Sequence, residues 1–516
     1  MTPYGIHHFA QRDPNAPAVI EPEGRCWTRA TLVTTVNQLC HALRQHGFAQ
    51  GEVIAILAPN CIEFIAVYLA ATHIGLYVVP INWHLSAAEI GYVLENSGAK
   101  GLFAHERVAP VLNRLWQESS PSNQSLRVSF GSIPGFLSFE EWLADRPREN
   151  VAEPRRGRML IYTSATTGRP KAIDLPLADA DEAFARTVAF HISCGNHPED
   201  GNVHLCASTL YHAAPLDFTT TSLHLGHLVV LPERWEPEAF LGLVQHYRVT
   251  TTFMVPAMFV RLMKLSSQVR GRYDVSSLRL VSHSAAPCPP QVKRELIEWW
   301  GPIVWESYGA AEGVGTAVTS SEWLEHPGTV GRPMRGTTLR ILDDDGRELP
   351  PGEIGAIYLT RFTGDRFAYK NDPEKTQAAY RGELFTVGDV GYLDEAGYLY
   401  LCDRKVDMII SGGVNIYSAE IEQVLVQHPQ VLDCAVFGVP DEILGESVRA
   451  VVQLAPGTPA SAALTAELVM FLRERLSAVK LPRKIEYASE LPRDPNGKLF
   501  KRSLRAKFWE GRERKI

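Results

Sequence analysis

The sequence predicts an α/β fold in two parts. A large N-terminal domain of stacked α/β sheets carries a small β-barrel subdomain, and a small α+β C-terminal domain follows. Three observations predict this. Short apolar runs alternate with helically spaced apolar residues through the first two thirds of the chain. After about residue 328 the texture changes to short strands divided by Gly-, Pro- and Asp-rich turns. From Asp403 the helix–strand alternation returns over a length sufficient for a separate core. The full length, 516 residues, exceeds what one hydrophobic core supports.

The elements follow in order. Leu32, Val36, Leu39 and Leu43 fall at helical spacing between Cys26 and Gly47. Val53 to Leu57 is a short apolar strand that ends at Pro59-Asn60, and Glu63 to Gly75 reads as a helix. Tyr77 to Pro80 is the next strand, Ala87 to Ser97 the next helix and Gly101 to Ala104 a further strand. Such alternation predicts a parallel sheet with helices on its faces. Residues 117–157 are richer in Ser, Pro, Arg and Glu and read as a surface connection. Strands are expected at His204–Ala207, Leu228–Leu231, Thr252–Val255 and Leu278–Val281, with helices at Trp235–Arg248 and Ala257–Leu265. Thr338–Ile341, Gly355–Leu359 and Tyr398–Cys402 are strands of the β-rich subdomain. In the last part, helices are expected at Ala419–His428 and Ala463–Ser477, and strands at Val431–Val439 and Ser447–Leu454. The basic tail beyond Lys498 reads as a solvated helix face.

Composition narrows the function classes. There are 51 basic and 58 acidic residues, a net charge of −7, and a general nucleic-acid binder would need a basic excess. Eight cysteines are scattered without a CxxC pair, which in a chain this long suggests reduced, mostly buried thiols. The start, Met1-Thr-Pro-Tyr-Gly-Ile-His-His, shows no basic region followed by an apolar run, and no apolar stretch is long enough to span a bilayer. A cytoplasmic enzyme is the expectation.

The stretch from Met159 to Ala172 organises the chemistry. Met159 to Tyr162 reads as a buried strand, and a hydroxyl-rich turn follows: Thr163, Ser164, Ala165, Thr166, Thr167, Gly168, Arg169, Pro170, Lys171. Such a turn can aim backbone N–H groups, four hydroxyls and one ammonium at a single point, which is what a polyphosphate requires. Gly-Lys-Ser/Thr is absent, so this is no Walker loop, and Ile173 to Leu175 reads as a returning strand rather than a helix start. His224 and His227 stand at i, i+3, yet neither Cys nor carboxylate lies at ligand spacing beside them, which argues against a metal site there.

Thr163 to Lys171 resembles the phosphate loop of the adenylate-forming (AMP-binding) superfamily, which includes acyl-CoA synthetases. Further motifs resemble those of the family in the same order: Tyr308-Gly309-Ala310-Ala311-Glu312, Thr386-Val387-Gly388-Asp389, Asp403-Arg404-Lys405-Val406-Asp407, Ser411-Gly412-Gly413-Val414-Asn415-Ile416-Tyr417 and Pro492-Arg493-Asp494-Pro495-Asn496-Gly497-Lys498. The likeness runs to about residue 506, and motifs in register are far more specific than any one alone.

The resemblance implies roles. Thr163, Ser164, Ala165, Thr166, Thr167, Gly168 and Lys171 would cradle the β- and γ-phosphates of ATP. Glu312, with Thr166, would hold Mg²⁺, a hard cation suited to carboxylate and phosphate oxygens. Tyr308 and Gly309 would lie at the adenine, with Ala285 and Ala286 letting the base approach. Asp389 would accept from the ribose hydroxyls, and Arg404 would reach the ribose or the α-phosphate. His212 matches the family histidine at the mouth of the acyl pocket. Lys498 would bind the carboxylate and α-phosphate oxygens during adenylation. The C-terminal domain, residues 403–516, would then turn against residues 1–402 about a hinge at 403–407, bringing Gly412 and Gly413 to the pantetheine arm of coenzyme A. Where most relatives carry Gly this chain has Ala165; if that position needs positive φ, the alanine costs about 1 kcal/mol.

These roles imply an ATP-dependent acid–CoA ligase acting on a small-molecule carboxylic acid through an acyl-adenylate. The segments Ile81–Leu85, Tyr211–Pro215, Tyr273–Ser277 and Ala286–Pro289 resemble bacterial long-chain fatty acyl-CoA synthetases, which favours a medium- or long-chain fatty acid with Tyr211, Phe218, Phe253 and Phe259 as pocket walls. Aryl or steroid side-chain acids stay open, as do a carrier-loading adenylation enzyme and a catalytically impaired relative. Monomer and homodimer both stay open.

Overall fold

The computed structural model describes residues 4–118, 124–163, 170–198, 201–493 and 499–510. The chain is α/β throughout, and its described residues form five sheets.

The first sheet is six-stranded and wholly parallel. At its centre Val53–Leu57 is buried at every position, as a strand covered on both faces must be. Tyr77–Pro80 and Gly101–His105 flank it. The helix Ala87–Ser97 between them starts on a capping box, Ser86 with Glu89, and ends on Gly98 in the left-handed region. The expected connection at 117–157 in fact supplies two strands of this sheet, Leu126–Phe130 and Leu137–Ser138, and the helix Phe139–Leu143. Leu126, Val128, Ser129 and Phe130 are buried and only Arg127 is partly exposed, so the strand is covered on both faces although it lies in a polar stretch.

The central sheet has nine strands. Val203–Leu205, Leu228–Val230, Thr251–Met254, Leu280–His283 and Val304–Ala310 run parallel, and Gly313–Val318 returns antiparallel. The N-terminal strand Pro17–Ile20 joins this sheet beside Leu228–Val230, with Val19 opposite Val229. The helix expected from Cys26 begins later, at Arg29, because Cys26–Thr28 pairs antiparallel with Pro17–Ile20 and Thr28 caps the helix. All four of its helically spaced leucines and valine are buried.

Met159 to Tyr162 does not form one strand. Arg158–Met159 pairs with Tyr77–Pro80 in the first sheet, and Ile161–Thr163 pairs with Lys171–Asp174 in a separate three-stranded sheet. The chain changes sheets at the buried Leu160. Lys171–Asp174 is a returning strand, and its far edge pairs with Ala368–Tyr369. The β-subdomain is antiparallel. Gly355–Leu359 pairs with Leu339–Leu342 and also with Leu384–Phe385 and Asp389–Leu393.

The C-terminal part packs Ser418–Leu425 and Ala462–Arg473 on a sheet dominated by Val431–Asp441 and Gly445–Leu454. The tail is not a merely solvated face. Lys501 Nζ lies 2.9 Å from Glu422 Oε1 and donates to Ser418 Oγ at 2.7 Å. Arg505 donates to the carbonyl of Val406 at 2.9 Å. From the large domain, Lys264 Nζ donates to the carbonyls of Val431 and Leu432, each at 2.8 Å. Among the described residues, no helix is long and apolar enough to cross a membrane.

Candidate functional site

In a parallel sheet, ligands bind outside the carboxyl ends of the strands. Val203–Leu205, Leu280–His283 and Val304–Ala310 share one direction in the central sheet, so the segments leaving their carboxyl ends carry His212, Ala285-Ala286 and Glu312 from one edge. His212 caps the start of the helix Ala213–His224, its ring 4.5 Å from that of Tyr211. Ala285 is exposed and holds φ at 76°, a conformation alanine adopts only at a cost. Gly309 lies where Val304–Ala310 and Gly313–Val318 pair, and a Cβ there would come within 2.5 Å of the Gly313 carbonyl oxygen and Val314 Cα. Only glycine fits.

Tyr308, Asp389 and Arg404 meet. The Tyr308 hydroxyl donates to Asp389 Oδ2 at 2.8 Å, and Arg404 Nε lies 3.5 Å from Asp389 Oδ1. Asp389 and Arg404 stand opposite each other on paired strands of the β-subdomain. Tyr308 is buried, and burial together with the Asp389 carboxylate pushes its hydroxyl pKa well up, so it stays a donor.

Glu312 is buried and is approached from the β-subdomain. Tyr369 donates to Glu312 Oε1 at 2.9 Å, and Arg361 bonds the Glu312 carbonyl oxygen. Arg361 also donates to Asp365, which pairs with Arg158 of the first sheet. Burial opposes the charge on Asp365, but the guanidinium groups and Thr363 hold its pKa down at about 2. This network ties Arg158 of the first sheet and Tyr369 of the three-stranded sheet to the turn at Glu312 of the central sheet.

Thr163 and Lys171 stand opposite each other on paired strands, on either side of that segment. Lys171 is ion-paired with Asp372. Ser164, Ala165, Thr166, Thr167, Gly168 and Lys498 lie outside the described residues. On either side of Lys498, Arg493 and Leu499 pair antiparallel, and Arg493 Nε is held 2.5 Å from Asp433 Oδ2. Gly412 and Gly413, with φ of 59° and 81°, form the two-residue turn between Ile409–Ser411 and Val414–Ile416. Positive φ at both positions is what such a tight hairpin demands.

Phe218, Phe253 and Phe259 belong to one core cluster, with the Phe218 and Phe253 rings 4.9 Å apart; Tyr211 is buried outside that cluster. His191 packs against Phe218 at 4.4 Å, and its Nε2 lies 3.3 Å from Asp217. His227 Nε2 bonds the His197 carbonyl at 2.8 Å. Among the described residues, no group of three His, Cys, Asp or Glu is placed to hold a metal ion.

Sequence reasoning missed Tyr369, Asp372, Arg361 and the buried pair Lys293–Glu306, which joins the helix Pro290–Trp300 to the strand of Tyr308 at 2.5 Å. One signal was present for Asp372: Asp372-Pro373 is a helix start, with Asp372 accepting from the Lys375 N–H.

Comparisons with known proteins agree with the geometry. Residues 6–362 match the AMP-binding enzyme family, and residues 420–498 match the AMP-binding enzyme C-terminal domain. The chain is 32% identical to a fatty acid–[acyl-carrier-protein] ligase, ScoC, of Streptomyces coeruleorubidus, over 98% of this chain and 96% of that one. It is 32% identical to an indoleacetate–CoA ligase of Aromatoleum aromaticum, over 97% and 96% of the two chains. A long-chain-fatty-acid–CoA ligase, FadD13, of Mycobacterium tuberculosis is 30% identical over 98% and 97%. The ATP-bound structure of MatB from Rhodopseudomonas palustris superposes with a TM-score of 0.83 at 26% identity, covering 97% of this chain and 98% of that one.

Proposed function

Because this chain belongs to the AMP-binding enzyme family and is an AMP-forming acid–thiol ligase, we propose that it joins a medium- or long-chain fatty acid to coenzyme A. A carboxylate oxygen attacks the α-phosphorus of ATP and pyrophosphate leaves. The coenzyme A sulfur then attacks the acyl carbon, and AMP leaves. Both substrates of the first step are anions, so neutralisation and alignment carry most of the catalysis.

The Asp389 carboxylate, held between the Tyr308 hydroxyl and the Arg404 guanidinium, is the observation that carries the nucleotide reading. It sets a carboxylate acceptor for ribose hydroxyls next to an aromatic ring and a guanidinium. Thr163, Lys171 and the intervening loop are assigned to the β- and γ-phosphates, Ala285, Ala286 and Gly309 to the adenine, His212 to the acyl-pocket mouth and Lys498 to the carboxylate and α-phosphate. The buried carboxylate of Glu312 suits Mg²⁺, a hard cation that favours oxygen ligands. Glu312 and Thr166 would hold that ion, which when bound neutralises phosphate charge. We place the hinge at 403–407, between the last strand of the β-subdomain, which ends at Arg404, and the C-terminal sheet, which begins at Ile409.

The apolar set Phe218, Phe253 and Phe259 supports a fatty acyl chain. A second reading, transfer to the phosphopantetheine thiol of a carrier protein, is favoured by the likeness to the Streptomyces enzyme. ATP–pyrophosphate exchange tests the proposal, run with fatty acids of graded length, benzoate, an indole acid and a steroid acid, beside Lys498→Ala. Exchange is expected with the fatty acids and is expected to fall more than a hundredfold in the variant. Thioester formation with coenzyme A against holo-carrier then separates the two acceptors. Exchange with none of the acids overturns the ligase assignment.

A further inference from the structure

Lys375 stands in the helix Pro373–Ala379, in a stretch that none of the sequence motifs touches. Its ammonium lies 4.3 Å from the centroid of the Tyr369 ring, and that of Lys171 lies 5.9 Å from the same ring. Two cations therefore share one aromatic neighbour. The hydroxyl of that ring is bonded to Glu312, so Tyr369 bridges the lysine pair and the buried carboxylate.

The two lysines are not equally provided for. Asp372 neutralises Lys171 with one carboxylate oxygen and caps the helix through the other, accepting from the Lys375 backbone N–H at 3.0 Å. Among the described residues, the Lys375 ammonium has no carboxylate within ion-pair distance. It is half-buried, and burial and the adjacent Lys171 push its pKa down against the opposing pull of the Glu312 and Asp372 carboxylates. With two ammonium groups beside one ion-paired carboxylate, a further anion between them would relieve the repulsion that remains. The place is telling: Lys171 opens the strand on the far side of the phosphate loop and pairs with Thr163 on the near side.

We propose that Lys375 is a further pyrophosphate-binding residue, contacting the β- and γ-phosphates of ATP beside Lys171. The inference rests on the adenylating reading above. In that reaction the carboxylate oxygen bonds to the α-phosphorus while the bond from that phosphorus to the bridging oxygen breaks. Pyrophosphate leaves with the electron pair, and a cation at the leaving group stabilises the charge it gains.

The test uses the difference between ATP and AMP, which lacks the two outer phosphates. The full chain, Lys375→Met and Lys375→Arg are titrated calorimetrically with ATP, pyrophosphate and AMP in the presence of Mg²⁺. Lys375→Met is expected to weaken ATP and pyrophosphate about tenfold and leave AMP unchanged, with arginine restoring most of the loss. In exchange assays the KM values for ATP and pyrophosphate rise while that for the acid holds. Equal losses for ATP and AMP, or no loss for ATP, overturn the proposal. A wild-type chain that binds ATP but exchanges with no acid defeats the ligase reading alone, since the calorimetric comparison still decides Lys375. A wild-type chain that binds neither ATP nor pyrophosphate overturns both.

Discussion

Ala285 shows how much one backbone angle can say. Its φ of 76° is a conformation glycine occupies freely and alanine does not. Strain of this kind gathers at ligand sites. Ala285→Gly is expected to stabilise the protein by about 1 kcal/mol, read as a higher urea midpoint at unchanged slope; an unchanged or lower midpoint would show that the alanine is not strained. The sequence points instead to Ala165, a position outside the described residues, because the motif it resembles carries glycine there. The same limit held elsewhere. Tyr308, Asp389 and Arg404 were legible as separate motif residues, but their mutual contact joins a strand of the central sheet to two of the β-subdomain. Lys375 and Asp372 carry no motif. They reach Lys171 only because Ile173 pairs with Tyr369 across nearly two hundred residues.

Elements were readable where local signals agreed. The helix Ala87–Ser97 has a capping box, an apolar face and a glycine stop, and its bounds are those read from the sequence. Leu126–Phe130 was missed because its polar flanks outweigh three buried apolar residues, and the break at Leu160 was missed because nothing local tells two strands from one. A third kind of miss is a buried pair tying elements together. Lys293 on the helix Pro290–Trp300 reaches Glu306 on the strand Val304–Ala310, with both side chains almost fully enclosed. Lys293→Met leaves a buried carboxylate without its cation and is expected to cost about 3 kcal/mol, whereas Lys293→Met with Glu306→Leu should recover most of it. Chemical denaturation of the three proteins checks this, and a double variant no better than the single one would contradict it.

At the scale of the whole molecule, histidines are spread through the interior of the large domain. Burial pushes His204 and His224 down to about 3 and His73 and His227 down to about 4, with neighbouring His and Arg side chains adding to the effect. They are neutral when folded at pH 6.5, where the unfolded chain begins to take up protons. The unfolded state therefore binds more protons below pH 6.5, and stability falls as pH drops. The loss is expected between about pH 6.5 and 4, at up to 1.4 kcal/mol per pH unit for each histidine, and levels off where the folded histidines protonate. Denaturant midpoints measured from pH 7 to 4 check it, with His204→Gln giving a shallower decline; midpoints that stay flat over this range would refute it.

The pairing of Val19 with Val229 has a consequence for how the chain is made. On a ribosome the strand Pro17–Ile20 emerges first, yet its parallel neighbour Leu228–Val230 follows about 210 residues later. At roughly 5–20 residues per second that is a wait on the order of 10–40 s. The strands of the first sheet, from Val53–Leu57 to Arg158–Met159, all emerge within that interval. The first sheet can thus assemble during synthesis while Pro17–Ile20, paired with Cys26–Thr28 along one edge, keeps its other edge open beside it. That strand is a natural grip for chaperones, and the nascent protein is most exposed to aggregation until residue 230 leaves the exit tunnel.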